Sequence, residues 1–161
     1  MQTNFGGNLT ILGAPVGEEL KKLPRAQANT RQMDGSCMIV IATDAPLSAR
    51  NLERLAKRSF LALGKVGSHM SNGSGDYAIA FSTHPDCRIP YRTDQALEYS
   101  PELGNDYTSP LFQAVVEATE EAIYNSLFMA EDMTGQNGRV EGALPLEQTL
   151  EILDQYGTRR K

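Results

Sequence analysis

Gly35-Ser36-Cys37-Met38-Ile39-Val40-Ile41-Ala42 is the stretch from which the rest of the chain can be organised. From Cys37 to Ala42 every residue is apolar and several are β-branched, the pattern of a strand buried on both faces rather than one alternating between core and solvent. The preceding segment, Pro24 to Gly35, has no apolar period, and Met33 is its single large hydrophobic residue, so it reads as an exposed linker. A polar linker therefore feeds directly into a central strand at Gly35-Ser36.

Working outward, Asp44-Ala45-Pro46-Leu47-Ser48 supplies a turn with helix-start chemistry. Leu52, Leu55, Ala56, Phe60 and Leu63 then share one face of a helix that stops at Gly64 or Gly67. Arg50, Arg54, Lys57 and Arg58 fall mostly elsewhere on that helix and read as a solvated face. The small, polar loop Ser71-Asn72-Gly73-Ser74-Gly75-Asp76 leads into a second buried strand at Tyr77 to Thr83. From His84 to Ser109, Pro85, Pro90, Pro101 and Gly104 interrupt any period, which predicts a long surface excursion. Pro110 to Ala130 is the clearest helix, with Phe112, Val115, Val116, Thr119, Ile123 and Leu127 as its apolar stripe. A glycine-rich loop at Thr134 to Gly142 and a helix at Leu146 to Tyr156 follow. Upstream of the linker, Asn8 to Leu12 reads as a short strand, Gly13 to Gly17 as a turn and Glu18 to Leu23 as a brief helix. There is no internal repeat.

With 40% hydrophobic and 22% charged residues, the 161-residue chain has the composition of an ordered, single-domain protein. A chain of this length buries roughly two-thirds of its unfolded surface, enough for a core without metal or disulfide support. The 20 acidic and 15 basic residues give a net charge of −5, which disfavours nucleic acid and anionic lipid as partners. The apolar run at Met38 to Ala42 is far shorter than the roughly 20 residues of a membrane helix, and residues 1–30 hold no signal-peptide core. A cytoplasmic setting is the expectation. Cys37 and Cys87 have no zinc-type spacing, and His69 and His84 stand without a partner at ligand spacing, so all four read as structural residues and no metal or cofactor is expected.

Three places could carry chemistry. If the Gly35–Ser36 bond were cut, Ser36 would become a chain terminus whose α-amine, with a reference pKa of about 7.7 to 8.0, could accept its own Oγ proton. Glycine at 35 removes a side chain from the peptide to be attacked. The competing reading is a loop that simply ends at a strand. In the second place, Ser74 and Asp76 present a hydroxyl and a carboxylate on a loop whose glycines allow close backbone approach, or form only a polar turn. In the third, Asn4 offers a side-chain amide that could donate to an oxyanion or sit in a turn.

Residues Gly35 to Leu47 resemble the nucleophile strand of the L-aminopeptidase/D-esterase family, which includes D-aminopeptidases and β-aminopeptidases. Gly67 to Asp76 with Ala80-Phe81-Ser82-Thr83 resembles its second active-site loop and strand, Pro110 to Gly138 its C-terminal helix and following loop, and Gln2 to Gly6 with Pro15-Val16-Gly17 the end of its N-terminal portion. The likeness runs in order along nearly the whole chain. It implies an α/β fold, a four-layer α/β/β/α sandwich of N-terminal-nucleophile hydrolases that is incomplete in this chain. Residues 1–35 would end the N-terminal portion and residues 36–161 would form the nucleophile portion, together one structural domain.

The same resemblance implies self-cleavage between Gly35 and Ser36, Ser36 as nucleophile, Ser74 and Asp76 as the hydroxyl and acid that relay its proton, and Asn4 as an oxyanion donor. Some relatives carry glutamate where this chain has Asp76, one methylene shorter. Cys37 neighbours Ser36 but on an alternating strand points to the opposite face. The substrates implied are short peptides, aminoacyl amides or esters with a free amino end. Only 35 residues precede Ser36 here, whereas the family carries a larger portion, so the expected partner is that missing portion or further copies in a homo-oligomer, covering open strand edges. Two other readings stay open: an uncleaved domain of this fold serving binding or assembly, and acyl transfer to an amine, against which serine rather than threonine at 36 counts.

Overall fold

The apolar run becomes β2 (Ser36–Thr43), the middle strand of a three-stranded sheet ordered β1-β2-β3. β1 (Gln2–Asn4) is antiparallel to the first part of β2, with Gln2 opposite Met38 and Asn4 opposite Ser36. β3 (Tyr77–Ser82) is parallel to β2, from Met38 opposite Tyr77 to Thr43 opposite Ser82. This computed structural model describes residues 2–4 by their backbone, and residues 7–23, 35–91, 94, 96–138 and 140–158. Most of the linker read at Pro24 to Gly35 lies outside the described residues; Gly35 is described and buried.

Parallel strands require a crossover, and α2 (Ala49–Lys65) supplies it. Ser48 caps α2 by accepting the Asn51 N–H. The helix ends past Gly64: the Ser68 N–H reaches back to the Leu63 carbonyl and the Gly67 N–H to that of Gly64, with Gly67 at φ +95°. This double closure needs the left-handed conformation that glycine adopts without strain. A Cβ at Gly67 would also lie 1.8 Å from the Asn8 carbonyl oxygen.

α3 (Ser109–Phe128), with Pro110 in its first turn, buries Val115, Thr119 and Ile123. Cys37 and Ile39 of β2 pack with Ala62, Leu63 and Val66 of the α2 end and Ile123 of α3. Leu63 is completely buried, so truncating it to alanine costs about 2–5 kcal/mol. A second cluster joins the N-terminal part to the C-terminal helix. Ile11, Ala14 and Val16 pack on Ile152 and Leu153, where α1 (Val16–Lys21) meets α4 (Leu146–Gln155). Between α3 and α4, β4 (Met133–Thr134) and β5 (Val140–Glu141) form a small antiparallel pair within the glycine-rich segment.

Several expectations need correction. Asn8 to Leu12 is not a strand: Asn8 and Thr10 donate to the Gly67 and Val66 carbonyls of the α2 exit, and Ile11 and Ala14 bond each other across a turn with Leu12 and Gly13 at positive φ. The strand of this region lies earlier, at Gln2–Asn4. The helix expected at Glu18 begins at Val16, because Val16 is fully buried and the Pro15 carbonyl accepts the Glu18 and Glu19 N–H groups. β2, expected to be buried on both faces, is buried on one, at Cys37 and Ile39, and β3, expected as an alternating buried strand, alternates between half-buried and exposed positions with no fully buried residue. Met38, Val40, Tyr77, Ile79 and Phe81 on the other face are 45–65% exposed, since no described residue covers them. The described helices and sheet form part of the four-layer arrangement, which was expected to be incomplete in this chain.

Two polar features tie the elements together. The Leu12 N–H donates to the Tyr124 hydroxyl at 3.1 Å, which donates to Glu120 at 2.8 Å, and Glu120 pairs with Lys65. Burial, and then the Glu120 carboxylate, push the Tyr124 phenol up to about 12, against the lowering effect of the Leu12 N–H. In the expected basic face, Arg54 and Arg58 lie over the Phe112 ring at 5.0 and 3.7 Å, and Arg54 also bonds Asn51 and Asn105. Those cations fasten the 84–108 excursion and α3 to α2.

Candidate active site

Pairing Met38 with Tyr77 carries the residues just before β3 alongside the start of β2. The loop 71–76 enters this position through a turn closed by the Ser74 N–H to the Ser71 carbonyl, 2.8 Å. Asp76 then accepts the Cys37 N–H on Oδ1 at 2.9 Å, which anchors the carboxylate to β2. The Ser74 hydroxyl is within donating distance of two oxygens, Asp76 Oδ2 at 2.6 Å and the Gly35 carbonyl at 2.7 Å. The Gly75 N–H donates to Ser36 Oγ at 3.1 Å. The Ser74 hydroxyl and the Gly75 amide are therefore both directed at Gly35 and Ser36.

Ser74 has one hydroxyl proton and two acceptors within reach, the Gly35 carbonyl and Asp76. When Asp76 is ionised the proton serves either acceptor in turn. When Asp76 is protonated it can donate to Ser74, which then donates to Gly35, so a proton path leads from carboxyl to carbonyl. Polarising that carbonyl favours nucleophilic attack at its carbon.

The structure brings Ser36, Gly35, Ser74 and Asp76 together. It places the Asn4 backbone directly across from Ser36 on the other side of β2, while the Asn4 side chain lies outside what is described. Cys37 is fully buried in the core, on the face opposite the half-buried Ser36, as strand alternation predicts. His84 caps a short turn by accepting the Asp86 N–H on Nδ1, and His69 is exposed. Among the described residues no group of three or more His, Cys, Asp or Glu could hold a metal ion, and no helix is long and apolar enough to cross a membrane.

One contributor was not singled out from the sequence: the Gly75 amide. Its signal was present, since glycines flank Ser74 and permit close backbone approach, but the expected recipient was a substrate and the observed one is Ser36 Oγ. A Cβ at Gly75 would stand 3.3 Å from Ser36 Oγ and 3.5 Å from the Tyr77 ring. The site therefore has little room for any larger residue there.

This arrangement can be set beside known proteins. The model of the peptidase family S58 matches residues 1–141. The chain belongs to peptidase family S58. A beta-peptidyl aminopeptidase of Sphingosinicella microcystinivorans is 39% identical over 170 residues, covering 97% of this chain and 42% of that protein. Among solved structures, a protein of Pyrococcus horikoshii has a TM-score of 0.81 at 45% identity, over 96% of this chain and 41% of its own. The L-aminopeptidase D-Ala-esterase/amidase of Ochrobactrum anthropi, described as a variant of the N-terminal-nucleophile hydrolase fold, has a TM-score of 0.78 at 33% identity, over 92% and 40% respectively. The sheet and helices of this S58 chain are thus part of that α/β fold. The chain spans about 42% of the length of the curated relatives it matches.

Proposed function

We propose that this chain is the nucleophile-bearing part of a self-cleaving N-terminal-serine aminopeptidase. It would hydrolyse short peptides, amides or esters with a free amino end. The observation that carries the reading is the Ser74 hydroxyl, 2.7 Å from the Gly35 carbonyl oxygen at the bond to be cut. Membership of a peptidase family and the names of its relatives support the same class of chemistry.

In self-cleavage, Ser36 Oγ attacks the Gly35 carbonyl carbon while Ser74 donates to the oxygen that takes up charge. The bond to the Ser36 nitrogen breaks, and the proton lost by Oγ ends on that nitrogen. Water then hydrolyses the ester, leaving a Gly35 carboxylate and a Ser36 with a free α-amine. In turnover that amine accepts the Oγ proton as Ser36 attacks the substrate carbonyl, and the amine product leaves from an acyl-enzyme that water releases. Ser74 and Asp76 hold and move the proton, and Asn4, across from Ser36, donates to the substrate oxyanion. Residues 1–35 and 36–161 are the two pieces so made.

Mass spectrometry of the purified protein tests the first step. Self-cleavage gives a chain beginning at Ser36; a sole species at 17.6 kDa counts against it. Hydrolysis of aminoacyl amides and β-residue dipeptides tests the second, with Ser36→Ala expected to abolish it. The exposed apolar sheet face favours one other reading, an uncleaved assembly domain. Equal hydrolysis by parent and Ser36→Ala would refute the Ser36 mechanism, whereas no hydrolysis by either would leave the assembly reading in its place.

A further inference from the structure

The pairing of β2 is one-sided beyond Met38. β3 accompanies it to Thr43, whereas β1 reaches only Met38, so Ile39 to Thr43 has an open edge among the described residues. Strand parity shows what that edge presents. The Cys37 N–H points toward the β3 side, where Asp76 accepts it, and the Thr43 carbonyl points there too, accepting the Thr83 N–H. Backbone groups alternate along a strand, so those of Val40 and Ala42 face the open side.

Beside this edge lies a groove of about 310 Å³, lined by Ile39 to Thr43 and by Leu111, Ala114, Ala118 and Ala122 of α3. The three alanines leave methyl-sized walls where a strand's inward side chains would fall. β1 fixes the direction of approach: each residue back along β1 moves one residue forward along β2, as Asn4, Thr3 and Gln2 face Ser36, Cys37 and Met38. Extended polypeptide entering β1 from its N-terminal side therefore runs into the groove, opposite Ile39 and onward to Thr43.

We infer that this open edge is an acceptor for one further β-strand, antiparallel to β2 and continuous with β1. The occupant is polypeptide from outside these 161 residues, in line with relatives more than twice as long as the part this chain matches. Its residues opposite Ile39, Ile41 and Thr43 point inward at α3 and are small or apolar. Those opposite Val40 and Ala42 exchange backbone hydrogen bonds with them. The inference is independent of catalysis.

The test is to fuse Val-Thr-Val-Thr ahead of Met1, so that the register sets the new residues against Val40 to Thr43, and to follow amide hydrogen exchange by NMR. Exchange at Val40 and Ala42 should slow at least tenfold, while Ile39 and Ile41, whose N–H groups face β3, change less than twofold. A Val-Pro-Val-Pro extension, lacking the two donors that would bond Val40 and Ala42, should give no slowing. Unchanged exchange with the first extension overturns the inference. So does strong protection of Val40 and Ala42 in the unextended chain, which would mean that a second copy (if it elutes as a dimer) or this chain's own residues (if as a monomer) already fill the groove.

Discussion

Ser74→Ala removes the one side-chain donor that, among the described residues, is directed at the carbonyl the proposed self-cleavage would attack. The hydroxyl oxygen is 2.7 Å from the Gly35 oxygen, and loss of one donor to a developing oxyanion typically lowers the rate 10²- to 10³-fold, about 2.7–4 kcal/mol. Ser74 is also 2.6 Å from Asp76 Oδ2 and has one proton for both partners. If that proton spends half its time on the carboxylate, the benefit falls by about twofold, about 0.4 kcal/mol. The expected slowing is therefore about 50- to 500-fold. Cleavage can be followed from the start of cell-free synthesis by denaturing electrophoresis and intact mass, timing the loss of full-length chain. Ser74→Thr keeps the donor and should retain most of the parent rate. Alanine cleaving within threefold of the parent, with the fold intact by circular dichroism, would refute the role assigned to this hydroxyl.

Gly75→Ala should slow the proposed self-cleavage about tenfold or more, since its Cβ, 3.3 Å from Ser36 Oγ, forces Ser36 or the loop to shift; thermal melting should hardly change. Gly67→Ala should instead cost stability, about 2 kcal/mol or more, because the left-handed φ of +95° and a Cβ 1.8 Å from the Asn8 carbonyl cannot both be relieved locally; denaturant titration reads this. Tyr124 ionises at about 12 in the fold against about 10 in the unfolded chain. Its contribution is complete below pH 10 and is lost as pH rises toward 12. Tyr124→Phe should flatten that alkaline limb of the stability curve.

The fold was legible where one residue class dictated one outcome. The run Cys37 to Ala42, the Ser48 cap and the apolar stripe of α3 each give the element expected of them. The sequence also encoded more burial than the described residues supply: Val40 and Ile79 are apolar, yet both stand exposed among the described residues. Asn8 to Leu12 misled because its hydrogen bonds go to the α2 exit, a long-range partner that no local pattern reports. At the site, residue chemistry made Ser36, Ser74 and Asp76 candidates, but only resemblance favoured them over a plain loop and turn, since Gly-Ser and Ser-Gly-Asp are common dipeptides and tripeptides. Their convergence follows from parallel register, which places the loop ahead of β3 against the start of β2. The Gly75 amide was missed because its glycine signals close backbone approach without saying to what, and the partner is Ser36 Oγ across the parallel register.

The cluster of Ile11, Ala14 and Val16 with Ile152 and Leu153 acquires a second meaning once a cut at Gly35–Ser36 is considered. Residues on either side of that bond share a core, and the Leu12 N–H and Glu19 each bond a tyrosine of the other piece, Tyr124 and Tyr156. The two pieces would stay associated after cleavage, but only as a complex. The uncut chain would refold at a rate independent of its concentration. The cut protein would have to find its other half by diffusion, so dilution would slow its recovery. Such a molecule folds easily once, as a single chain, and carries the memory of that event in its topology.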